Sequence, residues 1–222
     1  LALPNASKID SVLEIDQQVV IQDYNSQRIA EYMSLTVNDL PATPMVWDCC
    51  AASGGKSILA VDTFKKTDLT VSDVRISIIK NLEQRFERAG ITDYHSFVAD
   101  LTGKLNIHPG NTEIKFNFII CDAPCSGSGT WGRTPEQLYS FSKERIGEYA
   151  ALQKKILATV VSYLKKEGYL LYITCSVFKK ENEEAVEFIL ANSKLVLIKQ
   201  ELLGGYDKKA DSMFVALFKL RG

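Results

Sequence analysis

At 222 residues, with 46% hydrophobic and 24% charged side chains, the chain is long enough for one well-buried α/β domain and too ordinary in composition for a disordered or fibrous protein. No apolar run approaches the ~20 residues of a membrane span, and Leu1-Ala2-Leu3-Pro4-Asn5 lacks the basic start and apolar core of a signal peptide. A net charge of −1 excludes a strongly basic chain, the usual means of holding phosphates.

Seven stretches read as strands: Met45–Cys50, Leu69–Val74, Phe97–Asp100, Phe116–Cys121, Tyr169–Cys175, Leu195–Lys199 and Met213–Leu220. The fourth and fifth are nearly continuous apolar runs, which suits strands covered on both faces of a parallel sheet. Helical segments fall between them. Ser57–Phe64 follows the first strand, and Ile76–Ala89 follows the second and stops at Gly90. Glu144–Lys166 follows the fourth strand with apolar residues at helical spacing, and Glu181–Asn192 follows the fifth. Alternation of this kind predicts a doubly wound α/β sheet with right-handed crossovers. The last two strands meet through Gly204-Gly205 with no helix between them, so the last strand is expected to be antiparallel.

Ligands of such sheets bind beyond the carboxyl ends of the strands. Those ends carry Asp48-Cys49-Cys50, Asp73, Asp100, Asp122-Ala123-Pro124-Cys125 and Thr174-Cys175-Ser176. The first strand runs into Ala51-Ala52-Ser53-Gly54-Gly55-Lys56-Ser57, a glycine-rich turn that lets a ligand approach the backbone and the next helix N-terminus. It is neither the dinucleotide fingerprint G-x-G-x-x-G nor a phosphate-binding loop, whose first glycine is Cys50 here. Asp73 stands where an acid accepts ribose hydroxyls in dinucleotide sites, and equally where an N-cap would stand.

Five cysteines without paired C-x-x-C spacing, and two histidines (His95 and His108, read as surface or loop residues), argue against a structural zinc site. No metal is expected, and free thiols fit a reducing, cytoplasmic setting. Cys49 and Cys121 read as small buried hydrophobes. Between Trp131 and Lys166 seven basic residues outnumber three acids, either a local basic face or a solvated helix surface. Trp131 and Arg133 are candidates for RNA contact or for packing.

Asp122-Ala123-Pro124-Cys125-Ser126-Gly127-Ser128-Gly129-Thr130 resembles the fourth motif of the RNA cytosine-5 methyltransferases of the Sun (Fmu) family. Tyr172-Ile173-Thr174-Cys175-Ser176 resembles their sixth motif, and Asp48-Cys49-Cys50-Ala51-Ala52-Ser53-Gly54-Gly55-Lys56 their first, D-x-C-A-A-P-G-G-K. Ile21–Gln27 and Ser212–Ala216 are similar to the family's segments at either end of its catalytic domain, so the likeness spans roughly residues 20 to 220 in order.

The resemblance implies a class I methyltransferase Rossmann-like fold: a seven-stranded, mostly parallel sheet with helices on both faces. It implies S-adenosylmethionine-dependent methylation of carbon 5 of cytosine in ribosomal or transfer RNA through a covalent cysteine–cytosine intermediate. A thiolate adding at carbon 6 makes carbon 5 nucleophilic enough to attack a methyl sulfonium. Carried over by motif, Cys175 is the nucleophile, Cys125 assists product release and Asp122 binds the cytosine edge. Cys50, Ala51, Ala52, Ser53, Gly54, Gly55, Lys56, Asp73, Asp100 and Asp122 line the cofactor, Asp73 at the ribose, Asp100 at the adenine amino group and Lys56 near the methionine end.

DNA cytosine methyltransferases use the Pro-Cys cysteine as nucleophile, so Thr174-Cys175-Ser176 favours the RNA class. Ser53 replaces the family's usual proline, from which a softer loop is expected, and Asp211-Ser212 replaces Asp-Gly. Residues 1–40 read as a remnant of, or lead-in to, an RNA-binding extension, and residues 41–222 as the catalytic domain. Because the chain starts at Leu1 rather than methionine, a preceding segment is expected, and RNA capture is expected to depend on that region or on a partner protein.

Overall fold

The computed structural model describes residue 3, residues 7–103, residue 105 and residues 114–222; His108 lies outside the described residues. The strands are β1 (Met45–Asp48), β2 (Asp68–Asp73), β3 (Tyr94–Val98), β4 (Phe116–Asp122), β5 (Leu164–Thr174), β6 (Leu195–Leu203) and β7 (Met213–Leu220). They form one sheet in the order β3-β2-β1-β4-β5-β7-β6. The first five pair in parallel, and β7 runs antiparallel to both β5 and β6. After β1 the chain builds outward to β2 and β3, then returns to β4 on the other side of β1. This reversal makes the carboxyl ends of β1 and β4 the place where sheets of this kind form their ligand crevice.

The helices are α1 (Tyr24–Ser34), α2 (Gly55–Phe64), α3 (Ile76–Arg88), α4 (Pro135–Tyr139), α5 (Glu144–Val161) and α6 (Glu183–Asn192). Alternate residues of each central strand feed two cores. On one face, Val46, Val71, Phe118, Ile120 and Leu171 pack with Ile29 and Met33 of α1, Ile58 and Phe64 of α2, and Leu82 and Phe86 of α3. On the other, Trp47, Ile119, Leu170, Tyr172 and Phe218 pack with Ile156, Leu157 and Val160 of α5 and Ile189 of α6. Each fully buried Leu, Ile, Val or Phe contributes about 1.5–3 kcal/mol. Burial on both faces explains the continuous apolar runs of β4 and β5. No helix among the described residues is long and apolar enough to cross a membrane.

Several boundaries differ from the sequence expectation. The helix expected to reach Lys166 ends at Val161, because Leu164 pairs with Phe116 and begins β5. Burying Leu164 between the sheet and α5 outweighs the helix preference of Lys165-Lys166-Glu167. Those residues instead form an excursion that closes at Gly168, where a Cβ would lie 2.8 Å from the Lys165 carbonyl oxygen. The basic run is thereby divided: Lys165 reaches Asn117 at the opening of β4 (3.3 Å), at the end of the sheet away from the crevice. The third strand covers Tyr94–Val98 rather than Phe97–Asp100, since β3 is an edge paired only with β2 and tolerates exposed His95. The sixth extends to Leu203, and α6 starts at Glu183, after a 3-10 turn over Lys179–Glu181. Helix α1 carries no strong periodic signal, yet Asp23 caps it by accepting from the Asn25 and Ser26 amides, and its apolar face enters the core.

Candidate active site

The crevice is built from four strand ends. At the end of β1, the Ala51 amide donates to the Ser72 carbonyl (2.9 Å) and the Gly54 amide to the Ala51 carbonyl (2.8 Å), folding the loop back on β2. Gly54 has φ +81°, and a Cβ there would stand 2.5 Å from the Phe86 ring. Only glycine lets α2 approach α3 so closely. Ala52, at φ +46°, also takes a left-handed conformation, which costs roughly 1–2 kcal/mol. Its amide donates to Asp73 Oδ2 at 3.2 Å. No side chain caps α2, so its first amides remain available to an anionic group. Ser53, in place of proline, accepts from Arg85 through its carbonyl (3.2 Å) and its hydroxyl (3.3 Å), and the second of these contacts is one that no proline ring offers.

Asp73 is buried at the end of β2. Burial opposes its charge, but the Arg75 guanidinium and the Arg75 and Ala52 amides hold the carboxyl below its usual range. Asp73 Oδ1 accepts from the amide of Arg75 (3.0 Å), the residue before α3, while Oδ2 accepts from the Ala52 amide of the glycine loop; the N-cap of α3 is Arg75, and no side chain caps that helix. Asp100 is exposed two residues beyond β3, with Oδ1 accepting from the Thr102 amide and hydroxyl. It sits beside Asp73, whose carbonyl accepts from the Ala99 amide.

Cys125 and Cys175, 50 positions apart in the chain, come together with Sγ atoms 3.3 Å apart. The hydrogen bond shared with Cys125 draws the Cys175 thiol below its ordinary value against burial and the Asp122 carboxylate, with help from the Lys56 ammonium. The same hydrogen bond, burial and the Glu181 carboxylate push the Cys125 thiol up. The two thiols are thus pushed in opposite directions, Cys175 toward the thiolate and Cys125 toward the protonated form. Lys56 is held 3.2 Å from Asp122 Oδ2 and donates to Ser26 Oγ (2.8 Å), so it links the glycine loop, α1 and the acid at the end of β4.

The residue that assembles the thiols carries no motif label in the sequence reading. Glu181 is fully buried. It accepts from the Ser126 amide (2.7 Å), from the Ser126 hydroxyl (2.6 Å) and from the Ser176 hydroxyl. Ser126 follows Cys125 and Ser176 follows Cys175, so one carboxylate clamps both cysteine turns. Asn182 completes the clamp, donating to the Ser176 carbonyl (2.8 Å) and accepting from Thr174 (2.6 Å). The signal available in the sequence was the pair Glu181-Asn182 shortly after Thr174-Cys175-Ser176; the helix assignment absorbed the glutamate. Gly129 is required for a different reason: a Cβ would lie 2.0 Å from the Ser212 carbonyl oxygen and 3.0 Å from that of Cys175.

Trp131 packs against Phe141 and Phe178, with ring centroids 4.8 and 5.9 Å apart, and Arg133 pairs with Asp211 at 2.6 Å. Packing therefore accounts for Trp131. Cys49 and Cys121 are buried in the core.

The family described as 16S rRNA methyltransferase RsmB/F matches residues 32–218. Ribosomal RNA small subunit methyltransferase B of Proteus mirabilis is 27% identical over 198 residues, covering 85% of this chain and 44% of that protein. A probable ribosomal RNA small subunit methyltransferase B of Bacillus subtilis is 31% identical over 172 residues, covering 76% of this chain and 36% of that protein. The chain thus spans less than half the length of these relatives. Among solved structures, NSun6 from Pyrococcus horikoshii with SFG superposes with a TM-score of 0.79 at 19% identity, covering 100% of this chain and 57% of that one. Such a likeness shows the fold, a methyltransferase Rossmann-like sheet. With the family match running from α1 almost to the end of β7, the chain belongs to the 16S rRNA methyltransferase RsmB/F family.

Proposed function

We propose that residues 41–222 are the catalytic domain of an S-adenosylmethionine-dependent enzyme that methylates carbon 5 of cytosine in RNA, ribosomal RNA first among the candidates. The observation that carries this reading is the Cys125–Cys175 pair, 3.3 Å apart, with Asp122 and Lys56 beside it. S-adenosylmethionine supplies an electrophilic methyl group. The residues from Cys50 to Lys56 with Asp73, Asp100 and Asp122 hold it: the α2 amides suit its carboxylate, and Asp73 its ribose hydroxyls.

The Cys175 thiolate adds to carbon 6 of cytosine, forming a C–S bond and moving the ring electron pair toward carbon 5, while Asp122 binds the N3–N4 edge. After carbon 5 has gained the methyl group, its remaining proton passes to a solvent water. The electron pair released re-forms the 5,6 double bond, and the C–S bond breaks to return Cys175 as thiolate. Cys125, the protonated thiol beside it, assists this departure.

Residues 1–40 read as a lead-in to an RNA-binding region, and RNA capture depends on such a region or on a partner protein. The five free cysteines suit a reducing cytoplasm.

The test is trapping. Cys125→Ala should accumulate a covalent protein–RNA adduct visible on a denaturing gel, while Cys175→Ala should bind cofactor yet transfer no methyl group. Methylation by Cys175→Ala, with no adduct from Cys125→Ala, would reverse or remove these roles.

A further inference from the structure

A second group of thiols lies apart from the catalytic pair. Cys49 and Cys50 follow β1, and Cys121 lies in β4 just before Asp122. Their Sγ atoms all fall within 4.8 Å of one another. Cys49 and Cys121 are 1% and 0% exposed, while Cys50 is half-buried in the glycine loop. The methyl-transfer chemistry asks nothing of the thiols of Cys49 and Cys121, and any small apolar side chain would fill their places in the core.

Three sulfurs bound to one metal at ~2.3 Å stand roughly 4 Å apart in a trigonal plane. The triangle meets that spacing with little movement. Among the described residues no histidine nitrogen or carboxylate oxygen joins the group to complete a four-coordinate zinc site. Soft thiolates without a fourth donor select Cu(I). Asp48 precedes Cys49 and Asp122 follows Cys121 in the chain, and Asp48 Oδ1 is buried without a hydrogen-bond partner. A cation placed here relieves that accumulation of acids and thiols.

We propose that Cys49, Cys50 and Cys121 form a binding site for a soft d10 cation, Cu(I), reached through Cys50. The ion displaces protons from the thiols as it binds, so its affinity rises with pH. Cys50 belongs to the proposed cofactor loop, so Cu(I) and S-adenosylmethionine each weaken the binding of the other.

The experiment uses the full chain with Cys125→Ser and Cys175→Ser, which removes the other close pair of thiols. Reduced, anaerobic protein is titrated with Cu(I) against a chromogenic Cu(I) chelator. One equivalent should pass from chelator to protein. Adding Cys121→Ala should weaken binding by more than the tenfold to hundredfold that follows loss of an outer-shell partner. Cys50→Ser should do the same from a half-buried position where folding is not at risk, with circular dichroism as control. No transfer from the chelator, or equal affinity in both variants, overturns the site. Calorimetry with S-adenosylmethionine, with and without Cu(I), tests the coupling. That arm rests on the cofactor reading and the stoichiometry arm does not. Cu(I) binding with unchanged cofactor affinity would therefore overturn the coupling and count against the placement of the cofactor, leaving the metal site standing.

Discussion

Replacing Glu181 separates the geometry of the two thiols from their charge. In Glu181→Ala the Ser126 amide and the Ser126 and Ser176 hydroxyls lose their common acceptor in a fully buried position. Stripping a buried network of its charged member costs about 3–5 kcal/mol. Here the lower figure applies, because Ser126, Ser128 and Ser176 lie 3.2–3.3 Å apart and can re-pair. Glu181→Gln keeps the Oε1 acceptor for the Ser126 amide and offers an N–H to a serine hydroxyl. It loses charge assistance and the Oε2 acceptor shared by the Ser126 and Ser176 hydroxyls, which must turn to accept instead, about 1–2 kcal/mol. The assay is peptide-resolved alkylation of Cys175 by iodoacetamide across pH 5 to 10, which requires no RNA, with thermal melting alongside. Wild type should react with a midpoint below the ~8.5 of a free thiol, because protonation of Cys175 at low pH removes the nucleophile. Glu181→Ala should move the midpoint up toward that value as the turns separate and the Cys125 hydrogen bond is lost. Glu181→Gln should keep the pair together but slightly weaken the preference for Cys175, since one of the several influences that raise the Cys125 thiol is gone. Lower melting temperatures with unchanged Cys175 profiles in both variants would reduce Glu181 to a structural residue and refute this reasoning.

Other perturbations probe separate parts of the site. Asp73→Ala should weaken S-adenosylmethionine binding by about 1.5–3 kcal/mol in calorimetry. Arg75→Ala should strengthen it slightly, by roughly the 0.2–1 kcal/mol of an exposed ion pair, because Arg75 occupies both oxygens of Asp73; weaker binding would show instead that Arg75 contacts the cofactor. Gly129→Ala should destabilise the fold by about 3 kcal/mol, the upper end of overpacking costs, since the added Cβ meets backbone rather than a movable side chain. Burial raises the Asp48 carboxyl to about 7, so the folded state binds an extra proton between about pH 4 and 7, and stability falls as pH rises through that window. Asp48→Asn should remove most of that slope in denaturant titrations, gaining at most on the order of 4 kcal/mol above pH 8 and little at pH 4; an unchanged slope would refute the assignment to Asp48.

Much of this site was legible because its chemistry is local. Asp122 to Cys125, Thr174 to Ser176 and the turn from Cys50 to Lys56 are each short strand-end segments, and strand ends are where an open α/β sheet binds ligands. Period and composition sufficed for seven strands and for the antiparallel last strand, since runs buried on both faces leave an unbroken apolar signature. Boundaries failed where tertiary pairing outweighed propensity: Lys165-Lys166 favour a helix, yet pairing of Leu164 with Phe116 draws the chain into β5.

What the amino-acid order determined by itself was the fold class and the candidate site residues, because each depends on contiguous residues. What only the tertiary structure decided is how those groups act together. Local sequence says nothing of a separation across 50 positions, so the 3.3 Å between Cys125 and Cys175 belongs to the fold. The same holds for the Lys56–Asp122 contact and for the convergence of Cys121 on Cys49 and Cys50. Glu181 shows the reason most directly. In the sequence it is only the first residue of the expected helix Glu181–Asn192. Only when β4 and β5 lie side by side do Ser126 and Ser176 turn their hydroxyls to one point, where a buried carboxylate is stabilised rather than penalised.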